Sequence, residues 1–525
     1  MSKKWLFLLP LGGVLTGLCL VFPKIGLLQW LSMTPMLYWL FCTVTPTARP
    51  KLRRLYGAGA LYHLSFYLVV YHWFFYLYPM EFAGVTKAQA AGLVLICWLG
   101  LSLLQTVFSA LVFPLFGVLV GTRPIRRYPV LIPFLFAAQY TVAEWSQTFT
   151  WMGVPWARLV LGQLEYSVIL GSASLFGSYF ITFLLVGVNA LLAYSFLHFE
   201  RDRFCQRAAG VLLAVALLTG ALGQLLAQPE RGESVVVAAV QGNVGSAQKW
   251  GPESNRRTKE VYEKYTAEAA AAGADIVLFP ETFLPYSFKT ISDYVIRLAT
   301  TYNVTVMCGA FCYDESGDYN ALFTVYPDGS VEETVYKKRH LVPFGEYVPW
   351  RPLIEVLIPP LADIGMLSGD LTPGADSEII ETPYGKLGGL ICFDSIYEQL
   401  VLDSVRDGAQ MLVLPTNDSW FTDSAAAHMH NGQARLRAIE SGRWILRAAD
   451  TGISAVIDSE GNTYEELPPM VEGVSIATAH VSDTRTLYSY IGNLFVYLLV
   501  ALLLALPATE LYSALKKKKA ANGGE

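Results

Sequence analysis

Long apolar segments separated by short polar loops occupy the first 228 residues of the chain. Each apolar segment approaches or exceeds the roughly 20 residues that a helix needs to cross a bilayer, so the pattern predicts membrane-spanning helices. Seven predicted spans precede a long polar region and an eighth follows it. They lie near residues 5–22, 26–44, 56–78, 89–120, 129–148, 168–198, 209–227 and 488–507. The chain is therefore predicted to be a multi-span α-helical membrane protein.

The polar region between the seventh and eighth spans has a different pattern. Short apolar runs such as 235–240, 276–279 and 387–391 alternate with amphipathic segments such as 253–272. This alternation predicts an α/β domain in which helices cover the faces of sheets. The predicted organisation is a seven-helix transmembrane domain, a globular domain, an eighth transmembrane helix and a basic tail. Their ranges are 1–230, 231–486, 487–512 and 513–525.

Composition and charge agree with a membrane protein. The chain is 53% hydrophobic and 15% charged, and its net charge of −5 gives no case for a nucleic-acid partner. Arginines and lysines concentrate in alternate loops, around 49–54, 123–127 and 201–207. The positive-inside rule then predicts that both termini are cytoplasmic and that the globular domain is extracytoplasmic. Seven cysteines, an odd number, imply no disulfide framework.

Three reactive residues follow predicted strands of the globular domain. Glu281 comes just after the strand 276–279, Lys338 ends the hairpin 321–338, and Cys392 follows the strand 387–391. A cysteine at a strand-to-helix turn faces substrate, and the helix N-terminus favours its thiolate. A desolvated glutamate suits a general base, and a lysine suits an oxyanion. Each residue alone also has a structural interpretation, as a core thiol, a capping or ion-paired carboxylate, and an edge-strand charge.

Taken together, Glu, Lys and Cys in this order resemble the catalytic triad of the nitrilase (carbon–nitrogen hydrolase) superfamily. Within that superfamily, the sequence is most similar to the membrane-integral apolipoprotein N-acyltransferase branch, and the resemblance covers essentially the whole chain. The motifs that carry it are QGNV (241–244), FPET (279–282), KRHLVPFGEYVP (338–349), GGLICFD (388–394), PTNDSWF (415–421) and GQARLRAIESGR (432–443). The resemblance implies a nitrilase-like αββα sandwich for the globular domain.

The resemblance also implies a two-step acyl transfer that needs no cofactor. Cys392 would take an acyl chain from the sn-1 ester of a phospholipid as a thioester. It would then pass the chain to the α-amino group of a diacylglyceryl-modified apolipoprotein. Glu281 would move the protons, while Lys338 and the backbone N–H of Phe393 would stabilise the oxyanion. The implied location is the bacterial inner membrane, with the catalytic domain on the periplasmic or extracytoplasmic side.

Further residues are expected to support the site. The family pattern implies that Glu346 assists the chemistry and that Trp250 lies in a segment over the entrance, and Asn417 follows a strand end where it would shape the pocket. The family commonly has Cys-Tyr-Glu where this chain has Cys392-Phe393-Asp394. This departure leaves the roles of Phe393 and Asp394 open.

Other functions were weighed against acyl transfer. His428 and His430 have a metal-like spacing, but no third ligand accompanies them at helical spacing, so no metal is predicted. A membrane-tethered nitrilase-type amidase would use the same triad with water as acceptor, yet would not need eight spans. A non-catalytic scaffold would not need all three triad residues. A monomer that contacts membrane lipid requires no further assumption.

Overall fold

The computed structural model describes residues 5–46, 51–80, 85–149, 153–197, 203–245, 251–357 and 369–522. The chain forms two compact units. One contains residues 1–72, 95–225 and 491–525, and is called the helical unit here. The other contains residues 73–94 and 226–490, and is called the sandwich unit. A short segment from the predicted transmembrane domain, 73–94, thus belongs to the sandwich unit.

Up to residue 226 the described chain is helical, because its long apolar runs can satisfy their backbone hydrogen bonds internally only as helices. The α-helices are α1 Leu8–Val21, α2 Gln29–Ser32, α3 Thr34–Thr43, α4 Leu52–Val70, α5 Lys87–Ser109, α6 Val112–Val120, α7 Arg123–Arg127, α8 Ile132–Ser146, α9 Ser167–Leu170, α10 Ala173–Phe176, α11 Ser178–Leu197 and α12 Arg203–Leu226. Short 3₁₀ segments lie at Pro23–Leu28, Tyr71–Leu77, Pro129–Leu131 and Leu159–Gln163.

Several helices are long and apolar enough to cross a membrane. The five candidates among the described residues are Pro23–Thr43, Lys87–Val120, Ser178–Leu197, Arg203–Leu226 and Leu494–Tyr512. All eight predicted spans contain helix, but three fall outside this set. Helices α1 and α8 have 14 and 15 residues, and α4 carries Arg53 and Arg54 in its first turn. Several candidate membrane-spanning helices are therefore present, while the number eight stays a prediction.

Glycines let two segments of the helical unit approach at backbone distance. A Cβ added at Gly220 of α12 would lie 1.5 Å from the carbonyl oxygen of Val168 in α9. One added at Gly223 would lie 2.0 Å from the carbonyl oxygen of Gly171. Small residues are the usual means of close helix contact in membranes, where burial of apolar surface gives little driving force. This crossing therefore depends on Gly220 and Gly223.

The sandwich unit contains two six-stranded sheets. The first has the order β12-β1-β2-β3-β4-β5 and the second the order β11-β10-β9-β8-β7-β6. The strands are β1 Glu233–Gln241, β2 Ile276–Phe279, β3 Thr305–Asp314, β4 Gly317–Val325, β5 Tyr336–Lys337, β6 Ile379–Thr382, β7 Gly385–Gly389, β8 Met411–Thr416, β9 Ile445–Ala449, β10 Ser454–Ile457, β11 Thr463–Leu467 and β12 Gly473–Val481. Within each sheet three neighbouring strands are parallel, β1-β2-β3 and β7-β8-β9.

The two sheets pack face to face, and helices cover their outer faces. Apolar side chains of both sheets share one core, to which Val237 and Leu278 contribute from the first sheet and Val413 and Leu446 from the second. Helices α13 Pro252–Ala271 and α14 Phe288–Tyr302 share a second core with the first sheet. The remaining helices are α15 Arg351–Leu357, α16 Glu398–Arg406, α17 Ala425–Ser441, α18 Leu487–Ile491 and α19 Leu494–Asn522. Of these, α16 contacts β7 of the second sheet. The predicted αββα sandwich is confirmed.

This topology gathers polar residues at strand ends. Glu281, Cys392 and Asn417 follow the carboxyl ends of β2, β7 and β8, all of which are central strands with parallel neighbours. Gly389, near the end of β7, allows the two sheets to approach closely, because an added Cβ would lie 2.4 Å from the ring of Tyr336. The fold therefore places reactive side chains of both sheets within reach of one another.

The glycine crossing in the helical unit gives a stability test. Gly220→Ala should lower the thermal unfolding midpoint in detergent, because overpacking costs about 1–3 kcal/mol. Gly210→Ala on the same helix is the matched control, since a Cβ there meets nothing within 4 Å. Equal midpoints for the two variants would contradict the predicted crossing.

Candidate active site

The structure brings the three predicted catalytic residues together. The Nζ atom of Lys338 lies 2.8 Å from Oε1 of Glu281, and the two side chains are only 1% and 7% exposed. Both charges act on the thiol of Cys392: the Glu281 carboxylate raises its pKa and the Lys338 ammonium lowers it. The predicted grouping of Glu281, Lys338 and Cys392 thus matches the geometry.

Lys338 binds two carboxylates at once. Besides Glu281, it contacts Oε2 of Glu346 at 2.8 Å, and the same oxygen accepts a hydrogen bond from the Val342 N–H at 2.8 Å. Burial alone would lower the pKa of Lys338, but Glu281 and Glu346 outweigh it and hold that pKa well above its usual value. The lysine therefore keeps its positive charge throughout the neutral pH range.

Asn320 joins the same cluster and was not among the predicted residues. Its Nδ2 donates to Oε1 of Glu281 at 2.6 Å and to Oε1 of Glu346 at 2.9 Å. The backbone carbonyl oxygen of Asn320 accepts a hydrogen bond from the backbone N–H of Lys338 at 2.8 Å. The available signal was a polar residue next to the apolar run ALFTV of strand β4. Asn320 thus fixes the two carboxylates relative to each other and to Lys338.

Cys392 is the first residue of a five-residue 3₁₀ helix, Cys392–Ile396, which follows β7 in a constrained turn. Its φ of +50° lies in the left-handed region, which side-chain-bearing residues rarely adopt. Burial, followed by the Glu281 carboxylate, raises the pKa of the thiol. The prediction that the helix N-terminus favours a thiolate was therefore wrong, because desolvation outweighs the short helix and the Lys338 charge. The raised pKa favours a neutral thiol at Cys392.

Asp394 ties the Cys392 turn to the segment that carries Lys338. Its Oδ2 accepts from the Ile391 N–H at 3.0 Å and from the Tyr336 hydroxyl at 2.9 Å. Its Oδ1 accepts from the His340 N–H at 2.7 Å. Burial raises its pKa to about 6 against the opposing charge of Lys338. Asp394 therefore reaches all three donors. Two of them, Tyr336 and His340, flank Lys338 in the sequence, so Asp394 supports the segment that carries the lysine.

The other predicted supporting residues occupy different positions. Phe393 packs edge-on against the Tyr397 ring at 5.5 Å, so its side chain serves packing. The Asn417 N–H donates to Oε2 of Glu281 at 2.9 Å, while its side-chain oxygen accepts from Ser419. Asn417 thus orients the glutamate through its backbone. Trp250 lies outside the described residues.

A second buried charge cluster lies beside Cys392. The potential ligand atoms of Cys392, Asp418 and His430 all lie within 4.8 Å of one another. Asp418 already contacts Nδ1 of His430 at 2.7 Å and Nη2 of Arg447 at 2.6 Å. Although burial opposes it, these two basic groups lower the pKa of Asp418 to about 2. The cluster therefore has the partners of a buried ion network, and the absence of a metal remains a prediction.

Comparisons with known proteins cover nearly the whole chain. Residues 236–488 match the family described as carbon–nitrogen hydrolase, and residues 12–191 match the apolipoprotein N-acyltransferase N-terminal domain. The chain is 30% identical over 503 residues to the apolipoprotein N-acyltransferase of Geobacter metallireducens, covering 94% of this chain and 92% of that protein. It is 30% identical over 500 residues to that of Gloeobacter violaceus, covering 94% and 91%.

Among solved structures, that of Saccharomyces cerevisiae Nit3, a member of branch 10 of the nitrilase superfamily, is 21% identical to this chain. The match covers 49% of this chain and 93% of the Nit3 chain, with a TM-score of 0.37. The family assignment rests on the sequence matches and not on this likeness.

The raised pKa of Asp394 gives a test of its burial. The folded protein keeps this proton up to about pH 6, whereas an unfolded aspartate loses it near pH 4. Its contribution to stability is therefore present below about pH 4 and lost as the pH rises through about 6. Between about pH 4 and 6, the thermal midpoint of the wild-type protein should fall relative to that of Asp394→Asn, which does not ionise, and above about pH 7 the difference should stay constant. Parallel pH curves would contradict the assignment.

Proposed function

Because the chain belongs to the apolipoprotein N-acyltransferase family, we propose that it moves an acyl chain from a phospholipid to the α-amino group of a diacylglyceryl-cysteine on a lipoprotein. The observation that carries this proposal is the buried Glu281–Lys338 pair, whose charges act on the thiol of Cys392. The family match over 94% of the chain supplies the substrate class.

In the first half-reaction Cys392 is the nucleophile and Glu281 the base. The thiol is neutral at rest, so Glu281 takes its proton as the sulfur bonds to the ester carbonyl carbon, at the sn-1 position by the family pattern. When the tetrahedral intermediate collapses, the carbon–oxygen bond of the ester breaks. The leaving oxygen takes the proton from Glu281, which gives a lysophospholipid and an acyl thioester on Cys392.

Lys338 stabilises the oxyanion of this intermediate, together with the backbone N–H of Phe393. The two carboxylates that hold the lysine keep its pKa well above the usual value, so it remains a cation. A fixed cation in a site that excludes water stabilises developing negative charge more strongly than it would in solvent. Lys338 therefore needs no proton transfer to act.

In the second half-reaction the neutral α-amino group of the acceptor attacks the thioester carbon. Glu281 takes a proton from the attacking nitrogen, the carbon–sulfur bond breaks, and the sulfur regains a proton from Glu281. The products are an amide on the lipoprotein and the free thiol of Cys392. Glu281 thus accepts and returns one proton in each half-reaction, and its contacts with Asn320 and Asn417 hold it in place for both.

The same triad would also serve an amidase that uses water as the acceptor. Two features favour the transferase: the N-terminal match to the acyltransferase family and the apolar helices that accompany it. A hydrolase of small amides needs neither of them. We further propose a monomer in the bacterial inner membrane with eight spans, cytoplasmic termini and an extracytoplasmic sandwich unit.

Intact-mass spectrometry of the purified protein with phospholipid tests the function. A thioester adduct of fatty-acyl mass should form on the wild-type protein and be absent from Cys392→Ala. Glu281→Gln should form it at least about 100-fold more slowly, because the proton acceptor is lost. Cys312→Ala, which removes another partly buried cysteine of the sandwich unit, is the matched control and should react like the wild type.

The fate of the adduct separates the two candidate functions. A diacylated lipopeptide with a free N-terminal amine should discharge the adduct and gain its mass, whereas the N-acetylated lipopeptide should not. An adduct lost equally fast in buffer alone would favour the amidase. Absence of an adduct from folded wild-type protein would contradict both functions.

Labelling with a membrane-impermeant maleimide tests the proposed topology. A cysteine at exposed Asp328, in the turn after β4, should be labelled in right-side-out spheroplasts. A cysteine at exposed Arg127, the last residue of α7, should be labelled only after permeabilisation. The unmodified chain corrects for its own cysteines, and the reverse labelling pattern would overturn the topology.

A further inference from the structure

We propose that His430 is a positioning residue, which holds the turn of the nucleophile by donating a hydrogen bond from Nε2 to the carbonyl oxygen of Cys392. The proposal deepens the acyl-transfer function and rests on it. It concerns neither the triad nor a metal, but the backbone conformation that presents the thiol to Glu281 and Lys338.

The surroundings of Nε2 determine its role. This atom lies 3.2 Å from the carbonyl oxygen of Cys392 and 3.1 Å from Oγ of Ser395. The Ser395 hydroxyl donates to the same carbonyl at 2.8 Å, so its lone pairs face the imidazole. Both neighbours of Nε2 offer acceptor oxygens, so the proposed hydrogen bond to the Cys392 carbonyl is the one made when Nε2 carries the hydrogen.

The opposite side of the ring is anchored by charge. Nδ1 of His430 lies 2.7 Å from Oδ1 of Asp418, which also accepts from Thr416 Oγ1 at 3.1 Å. The other carboxylate oxygen binds Arg447, whose Nε donates to the carbonyl of Ile453 at 3.0 Å. Groups from β8, β9 and the loops that follow them thus fix the ring plane. The imidazole cannot turn without losing its contact with Asp418.

Aromatic side chains cover the network. The ring of Phe421 meets His430 edge-on at a centroid distance of 6.1 Å, and Trp73 meets Phe421 edge-on at 5.1 Å. Trp73 comes from the 73–94 segment of the same sandwich unit. His430 is 1% exposed, and a hydrogen bond in such a low-dielectric setting is stronger than one in water.

Cys392 needs such support because of its backbone conformation. A φ of +50° persists for a residue with a side chain only where surrounding contacts hold it. The carbonyl of this residue receives two side-chain donors, Ser395 and His430. Without His430 the turn can relax and the thiol can move away from the lysine that lowers its pKa. The expected consequence is a slower nucleophile with a higher apparent pKa.

Other charged groups also face the thiol and the imidazole, so each must be kept constant in a test. They are Glu281 after β2, Lys338 after β5, Asp418 after β8 and Arg447 on β9. Substitutions confined to His430 leave all four in place.

Two substitutions of His430 separate its two hydrogen bonds. The amide of Gln reaches the position of Nε2 and can donate to the Cys392 carbonyl, whereas the amide of Asn reaches only the position of Nδ1.

The full-length protein would be treated with iodoacetamide across a pH series, with mass spectrometry of the peptide that carries Cys392. The rate of acyl-enzyme formation with phospholipid vesicles would be measured on the same samples. His428→Asn is the matched control, because His428 is exposed on the same helix.

The proposal predicts that His430→Asn lowers the limiting acylation rate by about 10-fold or more and moves the alkylation midpoint to higher pH. The phospholipid concentration that gives half the limiting rate should not change. His430→Gln should stay within about 3-fold of the wild type, and His428→Asn should match it. A merely structural histidine would change the thermal midpoint without this split between limiting rate and concentration dependence.

Two results would overturn the proposal. These are a wild-type alkylation profile in folded His430→Asn, or an equal loss in His430→Gln and His430→Asn. Where His430→Asn does not fold, folded His430→Gln decides the question, because the proposal requires it to stay within about 3-fold of the wild type. An alkylation shift in a protein that never forms an acyl adduct would support the positioning role and refute the proposed function alone.

Discussion

The buried ammonium group of Lys338 is the constraint on which the rest of the site depends. A charge that is 1% exposed is strongly unfavourable unless it is paired and hydrogen-bonded, so the fold must bring carboxylates to it. It does so from two segments: Glu281 at the end of a central strand and Glu346 in a loop. Asn320 then bridges the carboxylates. The requirement to neutralise one lysine therefore fixes the position of the base and the polarity of the pocket.

Cys392 is held by a different means. Cys392 enters the site from the second sheet on a turn with left-handed backbone geometry. Asp394 ties that turn to both sides of Lys338, through Tyr336 and His340, while the carbonyl of Cys392 is bound by side chains from its own helix and from α17. The contacts of Asp394 thus join the segment of Cys392 to the segment of Lys338. The contacts with the Cys392 carbonyl stabilise the turn itself. The close approach of the two sheets at Gly389 makes the first set possible.

The features that local sequence pattern controls, such as the strands and the residues that follow them, are the ones that could be predicted. Glu281, Lys338 and Cys392 each follow a predicted strand, but only the resemblance to the nitrilase triad distinguishes them from structural residues. The alternation of short strands with helices predicts an α/β layered domain, and the resemblance adds the αββα sandwich. Asn320 and Arg447 were missed because their partners are distant in sequence; Asn320, for example, contacts Glu281 from 39 residues away. The carboxylate partner of His430 lies 12 residues earlier, beyond any helical spacing. The protonation state of Cys392 was predicted wrongly because burial, a tertiary property, outweighs the local helix end.

The neutral thiol has a mechanistic consequence that a thiolate would not have. In the proposed mechanism the raised pKa of Cys392 favours proton transfer to Glu281 together with sulfur attack, when an electrophile is already in place. The free protein then carries little reactive thiolate, and the bound donor, rather than the pH, triggers the nucleophile. In this mechanism Glu281 must be deprotonated again before an amine can attack the thioester. Proton return to the leaving lysophospholipid therefore links the two half-reactions, and it makes donor release the step that prepares the site for its acceptor.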